Sequence, residues 1–373
     1  MATTASNHPS STPPGQRVLV LQGGGALGAY QLGVYEALHE AGLEPDWVVG
    51  TSIGAINGAL IAGNAPEHRL ERLCAFWDLI AQDGPANPWG QVLSNWGTLT
   101  RGIAGFFEPG PASLLGPYAP LGPERAAWYD TAPLRASLER LLDFERLAGG
   151  DNTTPRLTVG CVSASRGEMV YFDSRDGALL PEHILASGAL PPAFPAVRID
   201  GEPYWDGGIY SNTPLECVLD DQPRRDSTIF SVHLWNPVGP EPQSVWEVGN
   251  RQKDIQYASR VDSHLARQQQ IHQLRHIIRE LGRRLGPEQR RSPEVRALTA
   301  WGCGTQMHVL RLMAPRLAGE DQTKDMDFRR ASIEQRRQAG LADTRAALAA
   351  QPWTAPQDPT EGIHVHDCER HAG

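Results

Sequence analysis

Trp47-Val48-Val49-Gly50-Thr51-Ser52-Ile53-Gly54, continuing into Ala55-Ile56-Asn57-Gly58-Ala59-Leu60-Ile61-Ala62, is the stretch whose reading decides the fold. Three bulky apolar residues run without alternation into a glycine, which is the pattern of a short strand buried on both faces. The small residues after Gly54 read as a helix able to pack closely against a sheet. Upstream, Val18-Leu19-Val20-Leu21 is a second continuous apolar run, closed by the glycines at 23–25, and a helix is predicted over 28–41. Strand, turn and helix twice in succession open a parallel sheet with helices on its faces.

Working outward, further strands are expected at 157–162, 169–172 and 229–235. Residues 1–16, rich in Ser, Thr and Pro, hold too little apolar surface to order themselves and are expected to form a tail. Residues 17–235 read as one α/β block. Residues 236–373 read as an extension packed on it: one long helix or two over 251–285, a late strand at 306–313 and a last helix at 328–350. Over 85–130, Pro and Gly punctuate Trp89, Trp96, Phe106, Phe107, Trp128 and Tyr129 without periodicity. An irregular insertion whose aromatics cover the sheet is favoured there over a lid or an interfacial surface. On the long helix Arg275, Arg279 and Arg283 recur every four residues, and a solvated face is favoured over docking to an anionic membrane.

Net charge is −9 over 373 residues, with 12 basic against 25 acidic side chains up to Asp221 and 22 against 18 beyond it. An acidic chain offers no electrostatic footprint for nucleic acid. Five cysteines, an odd number without metal-type spacing, argue for a reducing, cytoplasmic setting rather than a disulfide framework. No leader-like start and no run of 18 apolar residues is present, so any membrane contact is expected to be peripheral. His364, His366, Cys368 and His371 match no zinc spacing, and no metal is expected.

The chemistry centres on Gly50-Thr51-Ser52-Ile53-Gly54, a G-x-S-x-G between a strand and a helix. A nucleophile elbow forces its serine into a tight turn, so small flanking residues at Gly50 and Gly54 let neighbouring backbone pass. It also sets Ser52 at a helix N-terminus, where unpaired amides favour developing negative charge. Gly23-Gly24-Gly25-Ala26-Leu27-Gly28 follows the first strand. Its amides suit an oxyanion hole, with the Ile53 amide as helper, or else a dinucleotide pyrophosphate. The second use needs an acid after the second strand; Glu44 and Asp46 precede it, and the Ser52 elbow occupies its end. Asp206-Gly207-Gly208 presents a carboxylate on a bend, a weak signal alone because Asp-Gly is a common turn. Tyr204 and Trp205 beside it could supply the burial that would make it a better base.

Together, in this order, the three motifs resemble the patatin-like phospholipase family, over about residues 17–235. The segments Ala186-Ser187-Gly188-Ala189-Leu190-Pro191 and Pro192-Ala193-Phe194-Pro195 resemble what precedes the family's Asp motif. Lys253-Asp254-Ile255-Gln256-Tyr257-Ala258 and Lys324-Asp325-Met326-Asp327-Phe328 look like an extension found on some bacterial members. The resemblance implies a three-layer α/β/α fold around a mainly parallel sheet, with a helical C-terminal extension. It also implies a Ser52–Asp206 dyad needing no histidine, metal or cofactor, and a phospholipid or lysophospholipid ester cleaved through an acyl-enzyme. Many members carry Lys or Arg where Leu27 stands, so here the backbone donors would act without cationic help. The alternatives are a triad esterase acting on small soluble esters, with His233 as base, and a lipid-binding protein with a silent site.

Overall fold

A computed structural model describes residues 12–83, 101–148, 153–258, 261–317, 320–358 and 360–368. Trp89, Trp96, His371 and residues 1–11 of the expected tail lie outside these.

The strands of the main sheet are β1 (Gln16–Leu21), β2 (Trp47–Thr51), β3 (Arg156–Ser163), β4 (Met169–Asp173), β5 (Val197–Ile199), β6 (Glu202–Asp206), β7 (Ser227–His233), β8 (Met307–Met313) and β9 (Ile363–Asp367); Glu108–Pro109 and Tyr129–Asp130 form a separate short pair. Among the described residues these nine form one sheet, in the order β9-β8-β7-β1-β2-β3-β6-β5, with β4 also on β3. From β9 to β3 every pairing is parallel; β4 and β6 pair antiparallel with β3, and β5 pairs antiparallel with β6.

Successive side chains of a strand point to opposite faces, and the core divides accordingly. Leu19, Leu21 and Val48 enter one apolar cluster with Ile56, Leu60, Phe76 and Trp77, from α1 (Ala29–Glu40), α2 (Ile53–Ala62) and α3 (Arg69–Ile80) and their surroundings. Val18, Val20, Trp47 and Val49 enter a second, with Leu215, Val218 and Leu219 of α4 (Leu215–Leu219) and Leu265. Two clusters on two faces of one sheet make the three layers.

Beyond Trp235 come α5 (Val245–Ala258), α6 (Val261–Arg284), two short helices, β8, α7 (Arg330–Ala350) and β9. Two helices therefore stand where one or two were expected. The residues after 236 supply two strands of the sheet, and one of them, β9, follows the last helix read from sequence. Its histidines sit beside β8, with His308 Nδ1 3.0 Å from His366 Nε2. α7 crosses α1 at glycines: a Cβ on Gly33 would lie 1.8 Å from the Arg337 carbonyl, and one on Gly340 2.1 Å from that of Tyr30. The Arg337–Glu36 ion pair at 2.7 Å reinforces the crossing.

The face of α6 differs from its periodicity. Leu274, Ile277 and Leu281 are exposed, whereas Gln268, His272 and His276 are buried. The buried side holds polar chain ends: Gln268 donates to Asp220, and His272 and His276 meet the carbonyls of Leu219 and Thr305. Hydrogen bonds to fixed acceptors outweigh the weak apolar stripe.

Candidate active site

β2 leaves the sheet at Thr51, and the next residue stands at φ 56°, ψ −125°. A serine in the left-handed half of the map costs on the order of 1–3 kcal/mol and persists only where its surroundings over-determine it. They do here. A Cβ on Gly54 would lie 2.2 Å from the Leu21 carbonyl and one on Gly50 2.3 Å from that of Gly54, so no larger residue fits either flank. The Ser52 amide donates to Ser187 Oγ at 3.0 Å, and that hydroxyl donates to the Gly160 carbonyl at 2.7 Å. The Ser52 carbonyl accepts from Ala55 and Ile56, which starts α2.

The register of β3 brings Asp206 to this turn. β2 pairs with β3 as far as Thr51 opposite Gly160, and β4 occupies the other edge as far as Val162. Where β2 turns away, the vacated edge of β3 is taken by β6, with Asp206 opposite Cys161. The carboxyl thus arrives one residue beyond the end of β2. Its side chain is 2 % exposed. It accepts from the Gly208 amide at 2.7 Å, and Ser52 lines the same cavity beside it. Burial pushes its pKa up to about 7, against the lowering pull of the Ser52 hydroxyl and the Gly208 amide. Cys161 faces it across the ladder, whereas Trp205, which sequence suggested as its cover, pairs with Val162 and alternates to the other face.

The glycine loop closes a third side. Gly23, Gly24, Gly25, Ser52, Ile53, Asp206 and Gly208 line one cavity. Gly24 precedes a 3-10 turn over Gly25–Gly28, and the amides that open such a turn have no partner within it. Gly23 differs from its neighbours: its N–H donates to the Asn212 carbonyl at 3.1 Å, and its carbonyl accepts from Trp235 Nε1 and Asn212 Nδ2. It anchors the loop and has no proton to offer. Ala26 is fully buried behind the lining, and a Cβ on Gly28 would collide with the Ile53 side chain. Gly207 passes so close to Gly160 that a Cβ would lie 2.5 Å from its carbonyl.

Three polar residues that the motifs did not single out hold these parts together. Ser187 fixes the Ser52 amide. Asn57 donates to the Gly28 carbonyl and Gln31 and accepts from Trp77 Nε1, tying α2 to the loop. Gln22 accepts from the amides of Leu234 and Trp235 and donates to Thr213. The signal available in sequence was a polar side chain inside an apolar stretch, which is costly to bury unless hydrogen-bonded.

Most of the remaining lining is apolar and aromatic, Phe106, Phe107, Tyr129, Leu134, Leu190, Phe194, Met326 and Phe328 among others, with Thr131, Asn212 and Asp325 as the polar exceptions. Phe106 and Phe107, read from sequence as cover for the sheet, wall this cavity, and Trp128 from the same stretch is 39 % exposed. Among the described residues no histidine and no cation lines it. His233 lines a separate cavity with Asp262, Arg311 and Asp367. It lies 3.0 Å from Ser231 Oγ, and burial holds its pKa down to about 4.

A family model described as Patatin-like phospholipase matches residues 19–219. The chain belongs to the patatin-like phospholipase family. A second model, described as Patatin phospholipase, matches residues 255–360. Patatin-like phospholipase domain-containing protein 6 of Homo sapiens is 48% identical over 200 residues, 54% of this chain and 12% of that protein. Lysophospholipase nte1 of Aspergillus terreus is 62% identical over 47 residues, 13% of this chain and 3% of that one. The chain thus spans a small part of the length of these relatives. Among solved structures, VipD from Legionella pneumophila aligns at 14% identity with a TM-score of 0.40, over 91% of this chain and 68% of that one. No helix among the described residues is long and apolar enough to cross a membrane. Nor do three His, Cys, Asp or Glu residues converge among them as metal ligands.

Proposed function

We propose that the chain is a serine acyl hydrolase that cleaves lipid esters, with Ser52 as nucleophile and Asp206 as its base. The observation that carries this reading is a buried carboxyl, raised to about 7, lining one largely apolar cavity with a strained serine. A carboxylate at its ordinary pKa is a poor partner for a serine proton; desolvation raises its proton affinity toward the working pH. Ser52 Oγ attacks the ester carbonyl carbon as its proton passes to Asp206. The oxyanion then lies toward the amides of Gly24, Gly25 and Ile53, at the dipole end of α2. Collapse expels the alcohol, which takes the proton back from Asp206, and leaves an acyl-enzyme. Water, deprotonated by the same carboxylate, releases the acid.

The aromatic and aliphatic walls favour an acyl chain. The names of the relatives agree with a phospholipid or lysophospholipid ester. Residues 17–235 act in this reading as the catalytic block and the chain beyond as its extension. Mass spectrometry of products from a mixed lipid panel, wild type against Ser52→Ala, tests it; fatty acid release that is equal in the two overturns it.

Two further outcomes separate the dyad from a triad. Asp206 must be ionised to accept a proton, so kcat/KM is expected to rise with pH through an inflection near 7 and then level off. A rate flat across that region counts against Asp206 as base. His233→Ala is expected to keep kcat within about threefold of wild type while losing about 1 kcal/mol of stability, since a buried hydrogen bond is removed. A collapse of kcat in a folded His233→Ala chain favours the triad.

A further inference from the structure

The two Lys-Asp dipeptides of the C-terminal region, Lys253-Asp254 on α5 and Lys324-Asp325 before α7, have no place in that mechanism, yet they pair reciprocally. Lys324 Nζ donates to Asp254 Oδ1 at 2.5 Å, with side chains 4 % and 1 % exposed. Lys253 Nζ donates to Asp325 Oδ1 and Oδ2 at 2.8 and 2.9 Å. Arg316 closes the inner pair from the side, 2.7 Å from Asp254 Oδ2. Arg336 of α7 donates to the carbonyls of Lys324 and Asp327, so the turn is held from behind as well.

This cluster touches the glycine loop at both ends. Gly25 stands at φ 55°, and a Cβ there would lie 2.3 Å from the Asp325 carbonyl, so backbone rests directly on backbone. At the other end Trp235, whose Nε1 donates to the Gly23 carbonyl at 2.8 Å, lies between Tyr257 and Lys324. Its ring centroid is 4.8 Å from that of Tyr257 and 5.3 Å from Lys324 Nζ. The neighbours of the dipeptides, Tyr257, Met326 and Phe328, are themselves cavity wall.

Taking Asp254 and Lys324 out of water costs about as much as their attraction returns, so the inner pair is a poor source of stability. It is better suited to fixing which segment lies against which. We propose that the two dipeptides form a clasp that sets the glycine loop, making Lys253, Asp254, Lys324 and Asp325 positioning residues for hydrolysis at Ser52. This rests on the catalytic reading above. The clasp holds Asp325 on Gly25 and Trp235 on Gly23, and the Gly24 and Gly25 amides between those points keep their aim only while both contacts hold. Oxyanion donors act by being aimed in advance, so a small drift in the loop lowers kcat without weakening ground-state binding.

Exchange of the outer pair tests this. Lys253→Asp sets two acids face to face, Asp325→Lys sets two cations face to face, and the double variant restores attraction in the opposite sense. With a p-nitrophenyl fatty acid ester, each single variant is expected to lose about tenfold in kcat with KM within about twofold, and the double variant to recover most of it. In parallel, the Gly23 and Leu27 amides, bonded to the Asn212 and Gly24 carbonyls at either end of the loop, exchange with solvent faster in each single variant and recover protection in the double. Unchanged kcat and unchanged exchange in both singles overturn the clasp, as does a double no better than its parents. Wild type that does not turn over the ester overturns the catalytic reading instead, and the amide exchange then still decides whether the clasp sets the loop.

Discussion

Ser52→Ala is expected to abolish ester hydrolysis, with a loss of kcat of about 10⁶-fold, the scale seen when a serine hydrolase loses its nucleophile. Binding is expected to survive, because the apolar walls that hold an acyl chain are untouched. The fold is expected to survive as well: the hydroxyl is a small part of an elbow held by Ser187, Gly50 and Gly54. Ser52→Gly should be equally inactive yet more stable by about 1 kcal/mol, since glycine adopts φ 56° without the Cβ penalty. Steady-state kinetics with a fluorophosphonate label and thermal melts check both. A label that reacts with the Ser52→Ala chain as with wild type removes Ser52 from the mechanism.

Asp206→Asn is expected to cost about 10⁴-fold in kcat, comparable to losing the acid of a serine triad, because an amide cannot take the serine proton. Its effect on stability runs the other way. The folded pKa of Asp206 is raised from 3.8 to about 7, so the stability tied to its neutral form is fully present below the unfolded value and lost as pH rises through the folded one. Asparagine is neutral throughout and can still accept from the Gly208 amide. The variant should match wild type near pH 4 and exceed it by a few kcal/mol near pH 8, since each tenfold change in proton affinity on folding is worth about 1.4 kcal/mol. Melting curves of the two chains across that interval measure the difference. A gap that narrows as pH rises would mean the carboxylate is stabilised by its surroundings, and the base assignment would fail with it.

The proposed base thus sits where its charge destabilises the protein, and that placement explains how much of the site was legible. The elbow and the glycine loop are local: their demands for small flanking residues and a strand before and a helix after are written within a dozen positions of each other. Asp206 was a weak motif on its own. What makes it a partner for Ser52 is that β2 quits the edge of β3 at Gly160 and β6 takes over at Cys161. No spacing along the chain encodes that exchange of neighbours. Gly23 illustrates the same limit at one atom, since its amide suits an oxyanion hole in sequence and is spent on Asn212 in the fold.

The C-terminal region divides the same way. The late strand and last helix follow from apolar periodicity, and both form. Ile363–Asp367, short and rich in histidine, carries no strand signal of its own, and becomes a strand only because β8 offers it a free parallel edge. The repeated Lys-Asp pairs were visible as dipeptides, but opposite charges attract whatever lies nearest, and which acid faces which base is decided only when α5 and α7 are both docked.

The two opening strand–turn–helix units, and with them the serine's turn, were therefore determined by sequence alone, because each depends on residues close together in the chain. The carboxyl beside the serine, the amides left free in the loop and the pairing of the two Lys-Asp dipeptides behind it were decided by tertiary structure. Each joins segments tens to hundreds of residues apart, and only the packed sheet sets the distances between them.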